Sequence, residues 1–136
     1  MKPLQIRSIL LIDDDPITNM INTKIIEKGL DLDYKVVAFT NPYEAIQQLQ
    51  QWSASAEDEF PGILFLDINM PQMDGWEFLE EFQKLPASAL EKCSVVMLSS
   101  SIDRDDIERS RTYKVVREFI SKPLTADILK ALLVVQ

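Results

Sequence analysis

Histidine is absent from this sequence of 136 residues, and cysteine occurs once, at Cys93. No side chain of the chain can therefore be an imidazole base, an imidazole metal ligand or a phosphohistidine. A single cysteine cannot form an intrachain disulfide, which fits a reducing cytoplasm. The sequence also lacks an apolar run of 18 residues and an N-terminal signal-peptide pattern. We therefore expect a cytoplasmic protein without a membrane span.

Basic charge and glycine are scarce as well. The 14 basic residues stand against 22 acidic ones, which gives a net charge of −8. Nucleic-acid binding needs a basic face, so we expect no nucleic-acid partner, whereas a bound cation or a basic protein surface fits. The three glycines, at positions 29, 62 and 75, form no phosphate-binding loop, which argues against a nucleotide hydrolase. The length and the hydrophobic content of 46% fit one folded domain.

Apolar runs alternate with amphipathic stretches along the chain. Buried strands are predicted at residues 9–12, 36–39, 63–66, 95–98 and about 115–120. Helices are predicted at residues 16–29, 42–52, 74–82, 103–112 and about 125–135. This repeated strand–helix order predicts a parallel α/β sheet with helices on both faces, whose ligands bind beyond the carboxyl ends of the strands.

Local signals indicate where the helices begin and end. Ile17, Ile21 and Ile25 recur every fourth residue after a proline, and Gly29 is a natural stop. The polar stretch 53–62 predicts a loop. The helix at 103–112 has little apolar surface, so we expect it to be weakly anchored and mobile. Asp74 is expected to cap the third helix, with Glu77 three residues later.

Reactive side chains collect at one edge of the predicted sheet. Asp13 and Asp14 follow the first strand, Asp67 the third, Ser99 the fourth and Lys122 the fifth. Clustered carboxylates suit a hard divalent cation such as magnesium, and a carboxylate can itself become an aspartyl-phosphate. A cation and an ammonium group would then neutralise a transferring phosphoryl group, while a hydroxyl binds one of its oxygens. A structural role, such as capping a helix, could account for any one of these residues. It does not account for the occurrence of five such residues at the ends of four different strands.

The sequence resembles the receiver domain of two-component response regulators, of the chemotaxis-regulator-like, single-domain kind. The motifs are ILLIDDDP, ILFLDINMPQMDGWEFL, VVMLSSS and FISKPL, and the resemblance extends from Ile9 to about Leu133. The second motif is the most specific, because Met-Pro and Asp-Gly at these distances after an aspartate are typical of receivers. The resemblance implies a flavodoxin-like fold, with five helices around a five-stranded parallel sheet in the order 2-1-3-4-5.

The resemblance also implies a role for each site residue. The expected ligands of magnesium or manganese are Asp13, Asp14, Asp67 and the backbone carbonyl of Asn69. The expected catalytic residues are the phosphoacceptor Asp67, together with Ser99 and Lys122. The expected switch residues are Ser99 and Phe119, whose ring swings inward when the hydroxyl moves toward the phosphoryl group.

Several neighbouring residues are predicted to be structural. Asp15 is expected to turn the chain and to interact with the dipole of the first helix. Gly75, with Asp74, is expected to form a turn, and Trp76 and Met97 are expected to pack in the core. The resemblance implies a cis bond before Pro123.

We expect residues 1–136 to form one receiver domain with no output domain, since only 14 residues follow Lys122. The domain is not expected to be an enzyme beyond its own phosphorylation and dephosphorylation. The resemblance implies a histidine kinase or histidine phosphotransfer protein as donor and an unknown downstream protein as target. The signal is expected at the face of the fourth helix, fifth strand and fifth helix. The apolar end ALLVVQ motivates a homodimer hypothesis.

Three alternatives stay open. A receiver fragment of a larger hybrid kinase or regulator would have the same sequence. A phosphatase of the haloacid dehalogenase kind also forms an aspartyl-phosphate, but it needs a second aspartate where Asn69 stands. A pseudo-receiver never takes phosphate, and the complete set of site residues argues against it.

Overall fold

A computed structural model describes residues 8–29, 34–101 and 103–134 of the chain. The strands are β1 (Ser8–Ile12), β2 (Lys35–Phe39), β3 (Ile63–Asp67), β4 (Ser94–Ser99) and β5 (Val116–Ser121). The helices are α1 (Pro16–Gly29), α2 (Pro42–Ser55), α3 (Gly75–Phe82), α4 (Ala87–Leu90), α5 (Arg104–Ser110) and α6 (Ala126–Val134), with one 3-10 turn at Glu57–Glu59. All strands are parallel and lie in the order β2-β1-β3-β4-β5, which confirms the predicted fold class.

The central strands are buried on both faces, as their continuous apolar runs predicted. In β1, Leu10 and Ile12 face the core under α2 and α3, whereas Ile9 and Leu11 face the core under α1 and α6. This alternation follows from the two-residue period of a strand. Apolar layers therefore cover both faces of the sheet, and the residues at the carboxyl ends of β1 and β3 lie in the middle of the sheet.

The secondary structure differs from the predictions in one additional helix and in several element boundaries. The described residues form six α-helices and not five, because a short helix, α4, forms in the stretch between α3 and β4, where Ala89 is buried. The predicted loop 53–62 is shorter, since α2 continues to Ser55 before the 3-10 turn. Helix α5 is shorter than 103–112, and Asp103 caps it by accepting a hydrogen bond from the backbone N–H of Asp105 at 2.9 Å.

Helix α1 turns an unexpected face toward the sheet. Its isoleucine repeat correctly indicated a helix, but Ile17 and Ile21 are 60% and 50% exposed. The buried face consists of Asn19, Asn22 and Ile26. The inner face of α1 is thus polar near its start, close to the carboxyl edge of the sheet.

Two residues of the ALLVVQ motif, which motivated a homodimer, pack in the chain's own core, one of them buried and the other partly buried. Leu132 of α6 is buried against β1 and β3 and Leu133 is partly buried beside it, whereas Ala131 is exposed. Residues 135–136, also part of that motif, lie outside the described residues. Within the described ranges, no helix is both long and apolar enough to cross a bilayer.

Candidate functional site

Three aspartates meet at the carboxyl edge of the sheet. Strands β1 and β3 are neighbours and pair Ile12 with Leu66, so Asp13 and Asp67 lie side by side at the next position. Carboxylate oxygens of Asp13, Asp14 and Asp67 all lie within 4.8 Å of one another. Asp13 and Asp67 are 4% and 3% exposed, whereas Asp14 is open to solvent. Two carboxylates of the cluster are therefore buried, and solvent reaches the cluster at Asp14.

Lys122 reaches into this cluster from the loop after β5. Its Nζ lies 2.8 Å from Oδ2 of Asp13 and 3.2 Å from Oδ1 of Asp67. Its backbone N–H donates to the carbonyl of Ser99 at 2.8 Å, which ties the ends of β4 and β5 together. The bond between Lys122 and Pro123 is cis, as the resemblance implied. One ammonium group thus contacts two buried carboxylates.

The burial of these charges shifts their proton affinities. Burial, together with the charge of Asp13, raises the pKa of Asp67 to about 6, although Lys122 and a hydrogen bond from the Asn69 N–H oppose the shift. Burial alone would lower the pKa of Lys122, but its hydrogen bond to Asp13 and the charges of Asp67 and Asp13 raise it overall. Three carboxylates against one ammonium leave the ionised site strongly negative.

The three carboxylates form a ligand set that suits a hard divalent cation, which prefers oxygen ligands. All three converging side chains are carboxylates, which magnesium and manganese prefer over nitrogen or sulfur ligands. A cation would also compensate the excess negative charge. Asn69 lies beside the cluster, and its backbone N–H donates to Oδ1 of Asp67 at 3.3 Å. The role of its carbonyl as a ligand stays a prediction.

Ser99 lies at the same edge, but its hydroxyl does not contact the carboxylates. Ser99 is buried at the end of β4, and its Oγ donates to the carbonyl of Ser101 at 2.6 Å. The same Oγ accepts a hydrogen bond from the Ser101 N–H at 3.2 Å. The hydroxyl is therefore held by the following loop.

Phe119 pairs with Met97 in the register of β4 and β5. It is partly buried and packs against the core under α2 and α3. Its outer side lines a groove of about 140 Å³ together with Ile107 and Ser110 of α5. The ring thus lies between the core and α5. In β5, Phe119 comes two residues before Ser121, which pairs with Ser99.

Asp15 has the structural role that the sequence predicted. Its Oδ1 accepts a hydrogen bond from the N–H of Ile17 at 2.9 Å, and its Oδ2 accepts one from the hydroxyl of Thr18 at 3.2 Å. These bonds satisfy groups in the first turn of α1, as a cap does. Of the three consecutive aspartates, only Asp13 and Asp14 join the carboxylate cluster.

Gly75 has a steric role that the sequence did not reveal. A Cβ at this position would lie 2.9 Å from the Cα of Ile68 and 3.2 Å from the carbonyl oxygen of Asp67. The N–H of Gly75 also donates to the carbonyl of Ile68 at 2.8 Å. The start of α3, capped by Asp74 as predicted, is thereby pressed against the backbone that carries Asp67. Close approach, and not a turn, requires glycine here.

Trp76 is buried as predicted, and it also joins α3 to the end of α5. Its ring stacks on Tyr113 with centroids 5.9 Å apart, and the guanidinium of Arg109 lies 4.6 Å from the Trp76 ring centre. The hydroxyl of Tyr113 donates to Glu80 at 2.8 Å. The sequence predicted packing alone, because partners as distant in sequence as Arg109 and Tyr113 leave no local pattern around Trp76.

Comparison with known proteins places this geometry in a family. A family model described as the response regulator receiver domain matches residues 9–134. A solved two-component response regulator from Cytophaga hutchinsonii is 37% identical, with 93% of each chain covered and a TM-score of 0.84.

Two curated relatives extend the likeness to longer proteins. Response regulator Rcp1 of Synechocystis is 28% identical over 99 residues, which are 73% of this chain and 65% of Rcp1. A protein-glutamate methylesterase/protein-glutamine glutaminase of Methylobacillus flagellatus is 31% identical over 116 residues, which are 85% of this chain and 29% of that protein. The chain thus spans less than two thirds of the length of either relative. Because the family model covers almost all of the sequence, the chain belongs to the response regulator receiver domain family.

Proposed function

We propose that this chain is a phosphoacceptor of a two-component phosphorelay, with Asp67 as the acceptor. The observation that carries the proposal is the contact of Lys122 with both Asp13 and Asp67 inside a cluster of three carboxylates. The sequence contains no histidine, so the phosphohistidine donor lies outside these 136 residues. That donor is a histidine kinase or a histidine phosphotransfer protein.

In the proposed step, a carboxylate oxygen of Asp67 attacks the phosphorus of the donor. The new O–P bond forms as the N–P bond of the phosphohistidine breaks, and the imidazole leaves with its electron pair. With a pKa of about 6, Asp67 is ionised and nucleophilic at neutral pH. Lys122 neutralises charge on the transferring group, and the Ser99 hydroxyl exchanges its bond to Ser101 for one to a phosphoryl oxygen.

Magnesium or manganese is the proposed cofactor, held by Asp13, Asp14, Asp67 and the backbone carbonyl of Asn69. When bound, the cation would neutralise the carboxylates and polarise the phosphoryl oxygens. Support comes from the all-oxygen donor set and from the buried, like-charged pair of Asp13 and Asp67.

The outer face of α1 is the proposed docking surface for the donor. Ile17, Met20 and Ile21 are all at least 50% exposed, and the first of them follows Asp14 closely in the sequence. An exposed apolar patch of this kind favours contact with another protein. Because Asp14 gives the cluster its open side, a donor seated on α1 would bring its phosphohistidine to that opening.

The proposed output face consists of α5, β5 and α6. These elements correspond to the fourth helix, fifth strand and fifth helix of the sequence prediction, since α4 is an additional helix. Ser99 moving toward the phosphoryl group would free space beside β5, and Phe119 would move inward from its groove against α5. An unidentified downstream protein would bind this face differently in the unphosphorylated and the phosphorylated arrangement of Ser99 and Phe119.

We further propose that the chain acts as a single receiver domain over residues 1–136 and signals without catalysing reactions of other substrates. The methylesterase relative matches over only 29% of its own length, so its further activity is not implied by the shared segment. A cytoplasmic location is proposed because the single cysteine excludes an intrachain disulfide framework.

The test is incubation with acetyl phosphate or phosphoramidate, followed by intact mass measurement. The expected result is one added phosphoryl group in magnesium, and none in EDTA or in Asp67→Asn. No adduct with either donor in the wild type would instead support a pseudo-receiver.

A further inference from the structure

We propose that Asn19 is a positioning residue that fixes the acid-bearing loop after β1 for cation binding. Asn19 lies on the inner face of α1 and is 5% exposed. Its Nδ2 donates two hydrogen bonds, one to the carbonyl of Asp13 and one to the carbonyl of Phe39, both at 3.1 Å. A side-chain amide carries two hydrogens on this nitrogen, so both bonds form together. The inference rests on the proposed function.

These bonds continue the sheet beyond its last paired position. The register of β1 and β2 ends with Ile12 opposite Phe39, and the N–H of Asp13 then donates to the same Phe39 carbonyl at 3.1 Å. The N–H of Asp13 is therefore held by β2, and its carbonyl is held by Asn19. Both backbone polar groups of Asp13 are fixed, although Asp13 lies outside the strand.

The carbonyl held by Asn19 belongs to the peptide unit that joins Asp13 to Asp14. Asp13 has further restraints, since its carboxylate accepts bonds from the Asp15 N–H and from Lys122. The carboxylate of Asp14 has no hydrogen bond or ion pair among the described residues, so only the position of its backbone and its own side-chain rotation determine where it lies. A rotation of that peptide unit would displace Asp14 first. Asn19 thereby holds the least restrained carboxylate of the cluster.

A contribution to stability does not by itself explain an asparagine at this position. The Oδ1 of Asn19 is buried and, within the described structure, has no hydrogen-bond partner. A buried unpaired acceptor is unfavourable, so it offsets part of the stability that the two Nδ2 hydrogen bonds contribute. The asparagine is explained by its Nδ2, which holds the Asp13 carbonyl and thereby the peptide unit between Asp13 and Asp14. In metal sites, partners that orient the ligands contribute strongly to metal affinity.

Asn22 provides a matched control on the same helix. It lies one turn later on the same inner face, and it is also 5% exposed. No hydrogen bond joins its side chain to the acid loop in the described structure. Leucine at either position has a similar size, so both changes replace a buried amide with a methyl-bearing group, but only the change at Asn19 releases the Asp13–Asp14 peptide unit.

The experiment compares wild type, Asn19→Leu and Asn22→Leu by calorimetric titration with magnesium and by the rate of acetyl phosphate labelling at increasing magnesium. Asn19→Leu is expected to weaken magnesium binding by about tenfold or more, while its labelling rate recovers at saturating magnesium. Asn22→Leu is expected to bind magnesium as the wild type does. A purely structural effect would lower the folded fraction and leave the half-saturating magnesium concentration unchanged.

Asn19→Ala is the second variant, in case Asn19→Leu fails to fold. Alanine is small enough for water to hydrogen-bond the carbonyls of Asp13 and Phe39, so this variant is expected to be less destabilised. A wild-type magnesium affinity in a folded Asn19 variant, or an equal loss in Asn22→Leu, overturns the inference alone. If the wild type itself neither binds magnesium nor accepts a phosphoryl group, the proposed function fails, and the inference fails with it.

Discussion

Lys122 and Asp13 lie 109 positions apart in the sequence, yet Nζ of Lys122 is 2.8 Å from Oδ2 of Asp13. The contact joins the ends of β1 and β5, the first and last strands of the described residues, across the carboxyl edge of the sheet. Because Lys122 also reaches Asp67 at 3.2 Å, its charge holds two repelling buried carboxylates together. The behaviour of the site without a cation should therefore depend on this one ammonium group.

Removal of the ammonium group should destabilise the metal-free protein. Lys122→Met leaves Asp13 and Asp67 buried beside each other without compensation, and we expect a loss of about 3 kcal/mol in urea unfolding in EDTA at neutral pH. Lys84→Met is the control, because its ion pair with Glu81 is exposed and contributes little. Equal midpoints for the two variants would contradict the bridging role of Lys122.

Magnesium should raise the melting temperature, and Asp14 should be needed for the full effect. A ligand that binds only the folded state stabilises it by about 2.7 kcal/mol at a concentration of 100 times Kd. Asp14→Asn removes an exposed member of the carboxylate cluster, so we expect a smaller magnesium shift with little change in the metal-free melting temperature. Asp15→Asn, measured by the same thermal titration, should retain the full shift. Identical shifts in both variants would place Asp14 outside the cation site.

The stability of the metal-free protein should depend on the ionisation of Asp67. Its pKa is about 6 in the folded chain against an ordinary value of 3.8, so folding favours the protonated form. The corresponding stability is present below the lower pKa and is lost as the pH rises through the higher one, by about 3 kcal/mol. In EDTA, Asp67→Asn should therefore melt above the wild type at pH 7.5, with a gap that narrows toward pH 5.

Thermal melts of Asp15→Asn over the same pH range control for the loss of one negative charge. A gap between Asp67→Asn and the wild type that stays constant from pH 5 to 7.5 would contradict the raised pKa of Asp67.

Gly75→Ala should displace the backbone that carries Asp67. The added Cβ would lie 2.9 Å from the Cα of Ile68, and backbone cannot rotate away as a side chain can. We expect a loss of about 2 kcal/mol in urea unfolding and slower phosphoryl labelling in the folded fraction. At Gly29, an added Cβ would lie 3.3 Å from the Cβ and 4.0 Å from the Cα of Ala126, away from the backbone that carries Asp67, so Gly29→Ala should label at the wild-type rate. Wild-type labelling by Gly75→Ala would show that the loop adjusts without effect on Asp67.

The sheet and the position of the acidic cluster could be predicted from the sequence because they follow from chain order. Continuous apolar runs identified the buried strands, and the carboxyl ends of parallel strands meet at one edge. Asp13, Asp14, Asp67 and Lys122 were therefore expected to lie at that edge. Their approach required no knowledge of side-chain conformation.

Features that depend on contacts between distant residues were not predictable in this way. The period of Ile17 and Ile21 indicated a helix, but two faces of α1 carried plausible residues, and the polar face turned inward because Asn19 bonds to strand ends. The Ser99 hydroxyl faces Ser101 because a nearby loop carbonyl accepts its hydrogen bond. Such choices depend on tertiary geometry, and a periodic pattern does not determine them.

The central claim, that Asp67 is the magnesium-dependent phosphoacceptor, is tested most directly by locating the added group. Protein labelled with acetyl phosphate in magnesium is reduced with borohydride, which converts a phosphorylated aspartate to homoserine, and its peptides are then mapped by mass spectrometry. We expect homoserine at position 67 alone, and none after incubation in EDTA. Modification at Asp13 or Asp14, or undiminished modification of position 67 in EDTA, would contradict the account.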